Sequence, residues 1–488
     1  MSHFLSRHRH WIALTLIGGF ALFYSRLIYA PSDDAYIFLV YARNWLTGNG
    51  PTFNGAIVEG FSSPLWLGLL TLTGLTRISL PVVMQILSTL SGFLALYAAY
   101  LLAESLAGSK DWALLATLLL AATGDFAFYM GVGLEEVLFA ALLALAAAEI
   151  VRDAAASLTN LKLPILLALS ILARPEGALF AALFLLWALI TTRKLWPTFR
   201  TGLWLTAFLT PVMIAKRLYY GYWLPNTFYI KANAGIANLA KGNIYLAQNA
   251  PRYLVLVGFL GILLIGVMLL KRWSFLWRTL PLLLISAIWG GYVLISGGDN
   301  LVGGRVLIPA LPLVLAALSA VMAATLGQFR YGIILVVLLG AASIIGYAQS
   351  DFVQSHIARW QRNYPVRQAA GEYLRDNFPA DTLVALNPAG IIPYYSQLPT
   401  IDMLGLNDEY IGQFGQRDFS LDFGHQAGDG DYVLSREPDV ILFGGGVAQQ
   451  PGALVSDRQI ANNPDFTACY TQVAWPGIGY AYLRLNCE

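Results

Sequence analysis

Residues 306–348 read VLIPALPLVLAALSAVMAATLGQFRYGIILVVLLGAASIIGYA, which is two apolar runs separated by a short polar break containing Arg330. Each run is roughly 20 residues long, the length that an α-helix needs to cross the hydrocarbon core of a bilayer. Hydrophobic residues make up 57% of the 488-residue chain and charged residues 12%, whereas soluble domains carry about 25% charged residues. The sequence therefore predicts a polytopic α-helical membrane protein.

Nine further apolar runs extend this pattern toward the N-terminus. They cover 11–17, 82–103, 112–128, 134–151, 163–173, 177–192, 201–216, 252–270 and 279–296. If every run crosses, the chain has about 11 spans. The Lys and Arg residues of the loops then fall on the same side of the membrane as the basic N-terminus. By the positive-inside rule that side is cytoplasmic. We therefore expect a bacterial inner (plasma) membrane protein with a cytoplasmic N-terminus and an extracytoplasmic C-terminus.

The segment from Pro64 to Thr76 is apolar but too short for an upright span. Arg77 ends it, and a crossing here would reverse the orientation of everything that follows. We predict that this segment is interfacial or re-entrant.

The composition changes after Gln349, so we divide the chain into a transmembrane domain, 1–349, and an extracytoplasmic domain, 350–488. TLVALN, PTIDML, DVILFGGG, FTACYTQVAWP and GYAYLRLN are typical of strands, and VRQAAGEYLRDNF is typical of an amphipathic helix. The C-terminal part is therefore predicted to be a soluble mixed α/β domain.

Both cysteines of the chain, Cys469 and Cys487, lie in this domain. A hairpin that turns at PGIG and is centred on Ile478 would place them directly opposite each other, and the compartment outside the inner membrane is oxidising. We predict a disulfide between them, with two buried thiols as the alternative.

The first outer loop, 31–62, carries adjacent carboxylates, Asp33 and Asp34, directly after the first apolar run. Such a pair at a membrane boundary is costly unless it meets water, a cation or a substrate. One carboxylate could act as a general base, and together they could hold a divalent cation such as Mg²⁺ or Mn²⁺. The alternative is that they cap the helix predicted from Ala35 to Thr47.

Ordered motifs in this chain resemble the GT-C superfamily of lipid-linked membrane glycosyltransferases, most closely the mycobacterial terminal arabinofuranosyltransferases and their bacterial relatives. In the first outer loop the matching strings are Asp33-Asp34-Ala35-Tyr36, Tyr41-Ala42-Arg43-Asn44, Gly48-Asn49-Gly50, Glu59-Gly60 and Pro64-Leu65-Trp66. Later in the chain they are Gly133-Leu134-Glu135, Arg174-Pro175-Glu176-Gly177, Leu224-Pro225-Asn226-Thr227-Phe228-Tyr229 with Lys231, Gly297-Gly298-Asp299 with Arg305, and Gly424-His425. One departure is Glu136, where the family usually has Thr.

The resemblance implies a GT-C-like fold and roles for particular residues. Asp33, with Asp34 close behind it, takes the role of the catalytic carboxylate. The lipid phosphate of the donor needs cations, for which Arg305, Lys231 and Arg174 are the candidates. Lys231 and Arg305 could instead snorkel to headgroups, and Arg174 could merely end a helix before Pro175.

Other residues of these motifs are candidates for lining the substrate cavity. They are Tyr36, Arg43, Glu59, Glu135, Asn226, Asp299 and His425. Structural roles remain open beside this one: Tyr36 in an interfacial aromatic belt, Glu135 as a helix cap or partner of a basic residue, Asp299 in a glycine-rich turn, and His425 within a polar loop.

The expected function is transfer of a sugar, perhaps arabinofuranose, from a polyprenyl-phosphate donor to a cell-surface glycan, a lipid-linked saccharide or a protein. The alternative is a non-catalytic carrier or flippase of lipid-linked saccharide. A transporter typically shows internal repeats and ionisable residues near the middle of the membrane, whereas this chain concentrates its charges in loops. No basic block of the kind that binds nucleic acid is present.

Overall fold

The computed structural model describes residues 2–231, 235–249, 251–422 and 424–485. The chain from Ser2 to Asn377 is built mainly from helices. In chain order these are α1 (Ser2–Leu27), α2 (Asp33–Leu46), α3 (Pro64–Gly74), α4 (Leu80–Ala107), α5 (Lys110–Ala121), α6 (Gly124–Val132), α7 (Glu136–Ser157), α8 (Lys162–Ala173) and α9 (Gly177–Thr192). They continue with α10 (Leu195–Tyr220), α11 (Asn226–Lys231), α12 (Gly235–Asn249), α13 (Pro251–Leu269), α14 (Trp273–Ser296), a 3₁₀ turn (Arg305–Ala310), α15 (Leu311–Leu326), α16 (Phe329–Ala348) and α17 (Asp351–Asn377).

Several of these helices are long and apolar enough to cross a membrane. Within the described residues four meet that standard by length and composition, namely Leu80–Ala107, Trp273–Ser296, Arg305–Leu326 and Phe329–Ala348, and a fifth does so if the bent pair α5–α6 counts as one span. Shorter apolar helices cover Pro64–Gly74, Lys162–Ala173, Gly177–Thr192 and Val255–Leu269. The protein is a multi-pass helical membrane protein, and the expected count of about 11 spans exceeds the number of long apolar helices.

The apolar run at 112–128 is broken in the structure. Helices α5 and α6 meet at an angle of 69°, with Ala122 and Thr123 between them. A Cβ atom on Gly124, the first residue of α6, would lie 2.2 Å from the ring of Tyr347. The backbone at this break lies so close to Tyr347 that only glycine fits. A new helix, α6, starts there and carries Asp125 in its first turn.

The chain forms two compact units, each assembled from separate segments. The first comprises Met1–Ala30, Gln85–Val212 and Leu239–Ile357. The second comprises Pro31–Met84, Met213–Asn238 and Ala358–Glu488. The loop 31–62 and the segment around Asn226 thus belong to the same unit as the C-terminal part of the chain.

The C-terminal part of the second unit is a mixed α/β fold, as expected. Its remaining elements are β1 (Val384–Leu386), α18 (Ile391–Ser396), β2 (Thr400–Asp402), α19 (Glu409–Phe414), β3 (Gln416–Arg417), β4 (Ala427–Gly428), α20 (Gly430–Ser435), β5 (Val440–Leu442), α21 (Val455–Asn462), α22 (Pro464–Cys469), β6 (Tyr470–Trp475) and β7 (Gly479–Arg484). The main sheet has the order β2-β1-β5-β7-β6, with β1 parallel to β2 and β5 and with β7 antiparallel to β5 and β6. Its core includes Ile401, Ile441, Phe443 and Ile460, which are buried together.

The β6–β7 hairpin differs from its predicted register. Tyr470 pairs with Arg484 and Trp475 with Gly479, so the turn is centred on Gly477 rather than Ile478. The N–H group of Leu485 donates to the carbonyl oxygen of Cys469 at 2.7 Å, and the residue opposite Cys469 is therefore Leu485. The prediction that Cys469 and Cys487 lie directly opposite each other is therefore wrong. The turn is centred on Gly477 because that position has a φ of +75°, which favours glycine.

Cys469 itself is disulfide-bonded. Its predicted partner, Cys487, lies outside the described residues.

Candidate functional site

The carboxylate pair of the first outer loop lies in the first turn of α2. Ser32 is the residue before the helix, in extended conformation, and Asp33 and Asp34 are its first two residues. Acidic side chains at this end of a helix are favoured by the positive end of the macrodipole. The helix starts two residues earlier than predicted. Its N-cap residue is Ser32, so neither aspartate caps the helix in the way that the alternative prediction proposed.

Asp33 binds residues of the C-terminal domain. Its Oδ2 accepts a hydrogen bond from the N–H of Gly390 at 2.9 Å, and its Oδ1 accepts one from Ile391 at 3.1 Å. The guanidinium of Arg367 on α17 lies 3.0 Å from Oδ1. Both oxygens of Asp33 are therefore engaged within the second unit.

Tyrosines surround the next turn of α2. The hydroxyl of Tyr36 donates to that of Tyr364 at 3.0 Å, and the hydroxyl of Tyr364 lies 3.1 Å from that of Tyr395. The ring of Tyr394 meets that of Tyr36 edge-on, with centroids 5.5 Å apart. Burial and its hydroxyl neighbours raise the pKa of Tyr36, so it stays a neutral hydrogen-bonding group.

Arg43 links the same helix to the loop and to the C-terminal domain. Its guanidinium donates to Oδ1 of Asn54 at 2.7 Å and to the carbonyl oxygen of Tyr394 at 2.5 Å. Burial lowers the pKa of Arg43 to about 10. These contacts give Arg43 a structural part in holding the loop, and its predicted role in a substrate cavity stays a prediction.

Glu59 and Asn226 lie side by side in the second unit. The N–H of Asn226 donates to the carbonyl oxygen of Glu59 at 2.9 Å, and its side-chain amide donates to the carbonyl oxygens of Gly405 and Asp408 at 2.7 and 3.0 Å. The carboxylate of Glu59 is 3% exposed and lies 2.6 Å from Nζ of Lys216. The structure thus brings these two predicted site residues together.

The first unit contains a second group of predicted site residues, which we call the Glu–Arg cluster. Its members are Glu135, Glu136, Arg174, Glu176, Asp299 and Arg305. Nη1 of Arg174 lies 2.9 Å from Glu135 and 2.8 Å from Glu136. Nε of Arg305 donates to Glu136, and its Nη1 lies 3.3 Å from Asp299.

The Glu–Arg cluster is buried and formally acidic. It holds four carboxylates against two guanidinium groups, a formal charge of −2 when all are ionised. The residue that departs from the family pattern, Glu136, contacts both arginines. Buried ion pairs are costly to break because one charge is left without compensation, so this cluster ties the Glu135 segment, the turn at Arg174 and the segment 299–305 together.

Arg252 and Asp125 form a further buried pair in the first unit that the sequence analysis did not single out. Nη2 of Arg252 lies 3.1 Å from Oδ2 of Asp125 and 2.6 Å from Oδ1 of Asn249, and the hydroxyl of Tyr253 also donates to Asp125. Among the described residues, Nε and Nη1 of Arg252 have no hydrogen-bond partner. The available signal was an arginine directly after Pro251, at the start of an apolar run.

Two other predicted site residues are placed less fully. Lys231 is the last residue of α11, and its side chain lies outside the described part of the chain. His425 lies in the turn before β4, where its N–H donates to the carbonyl oxygen of Asp422 at 3.0 Å.

Within the described residues, no group of three or more His, Cys, Asp or Glu side chains is arranged to hold a metal ion. A divalent cation at Asp33 and Asp34 stays a prediction, and it would have to displace or share the contacts that Asp33 makes with Arg367 and the two amides.

Sequence comparisons assign only the C-terminal part of the chain. Residues 355–483 match a family model described as a domain of unknown function, DUF8728. A comparison with curated proteins finds no match.

Solved structures resemble the chain over most of its length. ArnT from Cupriavidus metallidurans bound to undecaprenyl phosphate aligns with a TM-score of 0.59 at 12% identity, covering 98% of each chain. The oligosaccharyltransferase AglB from Archaeoglobus fulgidus, in complex with an inhibitory peptide and a dolichol-phosphate, aligns with a TM-score of 0.56 at 12% identity, over 99% of this chain and 75% of AglB. At these identities the likeness concerns the fold alone: the chain shares the fold of these two proteins over most of its length.

Proposed function

We propose that the protein is a glycosyltransferase that uses a polyprenyl-phosphate-linked sugar. The observation that carries the proposal is the carboxylate pair in the first turn of α2. It lies on the loop where the sequence resemblance implies the catalytic carboxylate, in a chain whose fold matches that of ArnT bound to undecaprenyl phosphate over 98% of both chains. The acceptor is a cell-surface glycan, a lipid-linked saccharide or a protein, and the sugar is a pentose or hexose, with arabinofuranose as the first candidate.

The proposed reaction needs one carboxylate base. The acceptor hydroxyl oxygen attacks the anomeric carbon of the donor, and the bond from that carbon to the lipid-phosphate oxygen breaks with its electron pair. The hydroxyl proton passes to the carboxylate, which is general base catalysis. The products are a glycosylated acceptor and a polyprenyl phosphate.

The contacts of the two aspartates favour different roles. Asp33 accepts from two backbone amides and from Arg367, so both of its oxygens are engaged in holding the loop against the C-terminal part of the second unit. Successive helical residues are turned by about 100° from each other, so Asp34 faces a different direction. We therefore assign proton transfer to Asp34 and the positioning of the loop to Asp33.

The donor phosphate is better matched by Arg252 than by the arginines of the Glu–Arg cluster. Arg174 and Arg305 are outnumbered by carboxylates, which oppose the approach of a phosphate. Arg252 pairs with one carboxylate and, within the described residues, keeps unfilled N–H donors on Nε and Nη1. Arg side chains form strong charge-assisted bonds to phosphate, so we propose Arg252 as a donor-binding residue, with Lys231 remaining a candidate.

The proposal includes an orientation in the membrane. With about 11 crossings and a cytoplasmic N-terminus, the first outer loop and the domain 350–488 face the outside of the bacterial inner membrane. Labelling of single cysteines introduced at Asn49 and at Lys271 tests this orientation. A membrane-impermeant maleimide should modify position 49 and not position 271 in intact spheroplasts, and the reverse pattern would contradict it.

The function is tested by following release of the lipid product. Protein in nanodiscs is given undecaprenyl-phosphate arabinofuranose and a membrane glycan extract, and undecaprenyl phosphate is measured by mass spectrometry. We expect release by the native protein and a loss of at least 100-fold in the Asp34→Asn variant, the size expected for removal of a general base. Equal release by both proteins would remove the assigned base.

A further inference from the structure

We propose that the second unit rests on the surface of the lipid bilayer through exposed apolar side chains that two of its segments bring together. One segment is the end of α10 with the residues that follow it, and the other is the helix α19. This contact with lipid is independent of the proposed reaction. The residues that make it, which we call the aromatic surface, are Leu218, Tyr222, Trp223, Phe228, Tyr410 and Phe414.

The residues of the aromatic surface are exposed although they are large and apolar. Leu218 is 81% exposed, Phe414 69% and Trp223 54%, and the other three residues are exposed as well. Exposed apolar side chains are normally scattered singly over a soluble protein, whereas contiguous groups of them mark sites of contact with a protein or a membrane. The aromatic surface is therefore expected to have an occupant.

Hydrogen bonds and packing join the two segments, so the aromatic surface is a fixed feature of the second unit. The hydroxyl of Tyr222 donates to Glu409, the first residue of α19, at 2.6 Å. The side-chain amide of Asn226 donates to the carbonyl oxygen of Asp408 at 3.0 Å. A Cβ atom on Gly412, within α19, would lie 2.4 Å from Nδ2 of Asn226, so the segments are in direct contact.

Helix α19 turns one aromatic face outward. Tyr410 and Phe414 are four residues apart and lie on the same side of the helix, with ring centroids 5.7 Å apart. Tyr410 is held by stacking on Tyr432, with centroids 4.2 Å apart, while Ile411 of the same helix is fully buried. One side of α19 thus packs into the domain, and the other presents two aromatic rings to the surroundings.

The chemistry of the aromatic surface suits the lipid–water interface. Tyr and Trp side chains combine an apolar ring with a polar group, and they concentrate at the level of the lipid headgroups. The hydroxyl of Tyr222 keeps its bond to Glu409 while its ring is exposed. Arg217 and Glu409 are exposed and of opposite charge, so we expect the contact not to depend on the charge of the headgroups.

The end of α10 identifies lipid as the occupant. Ile214 and Leu218 lie about one helical turn apart and are 46% and 81% exposed. In a multi-pass membrane protein, apolar side chains that point away from the protein on such a helix face lipid. Helix α10 ends at Tyr220, and Tyr222 and Trp223 follow directly. The aromatic surface therefore continues a lipid-facing side of α10 at the level where the helix ends.

Spin labels on single introduced cysteines test this contact. Trp223→Cys and Phe414→Cys place the label on the two segments, and Asp376→Cys is the control because its exposed side chain lies in the last turn of α17. Full-length protein in phosphatidylcholine nanodiscs is exposed to oxygen, which concentrates in lipid, and to a water-soluble nickel complex. For side chains buried in the interface, we expect an oxygen-to-nickel accessibility ratio about threefold or more above that of the control.

The outcomes separate lipid from other occupants. Each labelled variant must keep the native melting temperature, and Phe228→Cys replaces a variant that does not. A control-like ratio at either position would place it in water and overturn the proposal. Labels shielded from both reagents would show that protein, such as a second copy of the chain, covers the surface, which also overturns it. A high ratio that requires added phosphatidylglycerol would contradict a contact independent of headgroup charge.

Discussion

Asp33 and Asp34 are adjacent in sequence, yet the structure gives them different surroundings. Arg367 and the amides of Gly390 and Ile391 engage Asp33. The sequence alone singled out the pair as a candidate site. It could not separate their roles, because the partners of Asp33 lie more than 300 residues further along the chain.

Replacing Arg367 with Gln distinguishes an anchoring Asp33 from a catalytic one. Arg367→Gln removes the ion pair but leaves both carboxylates. If Asp33 anchors the loop, Asp33→Asn and Arg367→Gln should lower the melting temperature by similar amounts. The two variants should also lower the rate of transfer by similar factors. Thermal unfolding and lipid-product release measure both effects. A Asp33→Asn variant that is inactive at native stability, beside a fully active Arg367→Gln, would instead make Asp33 the base.

The buried arginines of the first unit offer a matched pair of substitutions. Arg305→Gln leaves Asp299 without its cation and Glu136 with Arg174 alone, so we expect a loss of about 3–5 kcal/mol in stability. Arg252→Gln leaves Asp125 with the hydroxyl of Tyr253 but without its cation, so we expect a loss of stability here too, together with a KM for the donor raised about tenfold or more. Thermal unfolding and donor titration are measured on each variant. An unchanged donor KM in Arg252→Gln would move the phosphate site elsewhere.

At the scale of elements, apolar patterning was the dependable signal. The predicted runs 163–173, 177–192 and 331–348 coincide closely with α8, α9 and α16, because a helix in lipid must satisfy its backbone internally and cover it with apolar side chains. The break between α5 and α6 escaped prediction, since it depends on the ring of Tyr347 packing against Gly124. The hairpin register escaped because the turn at Gly477, rather than the cysteine positions, determines the pairing.

Gly60 shows how a motif residue can serve packing between elements. Its N–H donates to the hydroxyl of Tyr41 on α2 at 3.0 Å, and a Cβ atom there would lie 2.0 Å from Oδ1 of Asn407. Gly60→Ala should therefore displace Asn407 and destabilise the protein by about 1–3 kcal/mol. Gly68→Ala, on α3, is the control because a Cβ at Gly68 meets nothing within 4 Å. Equal melting temperatures for the two variants would show that the loop adapts freely.

At the scale of the molecule, one buried acid predicts a pH dependence of stability. Asp402 ends β2 fully buried, and burial raises its pKa to about 7 despite hydrogen bonds from Asn407 and Leu404. The folded protein thus binds this proton more tightly than the unfolded chain, whose Asp titrates near 3.8. The contribution of Asp402 is fully present below about pH 4 and is lost as the pH rises toward 7.

The Asp402→Asn variant tests this dependence. Its side chain stays neutral, so the difference in melting temperature between variant and native protein should shift in favour of the variant as the pH is raised from 4 to 7. The difference in melting temperature at pH 4 measures the hydrogen bonds with Asn407 and Leu404 that an Asn side chain forms less favourably than Asp402. A difference that is constant across this range would show that Asp402 does not hold its proton in the folded protein.

The whole chain shares its fold with ArnT and AglB, and the motifs predicted that fold because they recur in order along nearly its full length. The sequence could not give the site contacts, such as the pairing of Arg252 with Asp125 or of Glu59 with Lys216, because these join segments that are distant along the chain.

Release of undecaprenyl phosphate tests the proposed transfer most directly. Protein in nanodiscs is mixed with undecaprenyl-phosphate arabinofuranose and a glycan acceptor extract, and the released lipid is measured by mass spectrometry. The same measurement is repeated with the corresponding mannose donor. We expect release from one of these donors that depends on the acceptor extract and falls at least 100-fold in Asp34→Asn. If a correctly folded native protein leaves both donors intact in the presence of the acceptor extract, the proposed function is contradicted.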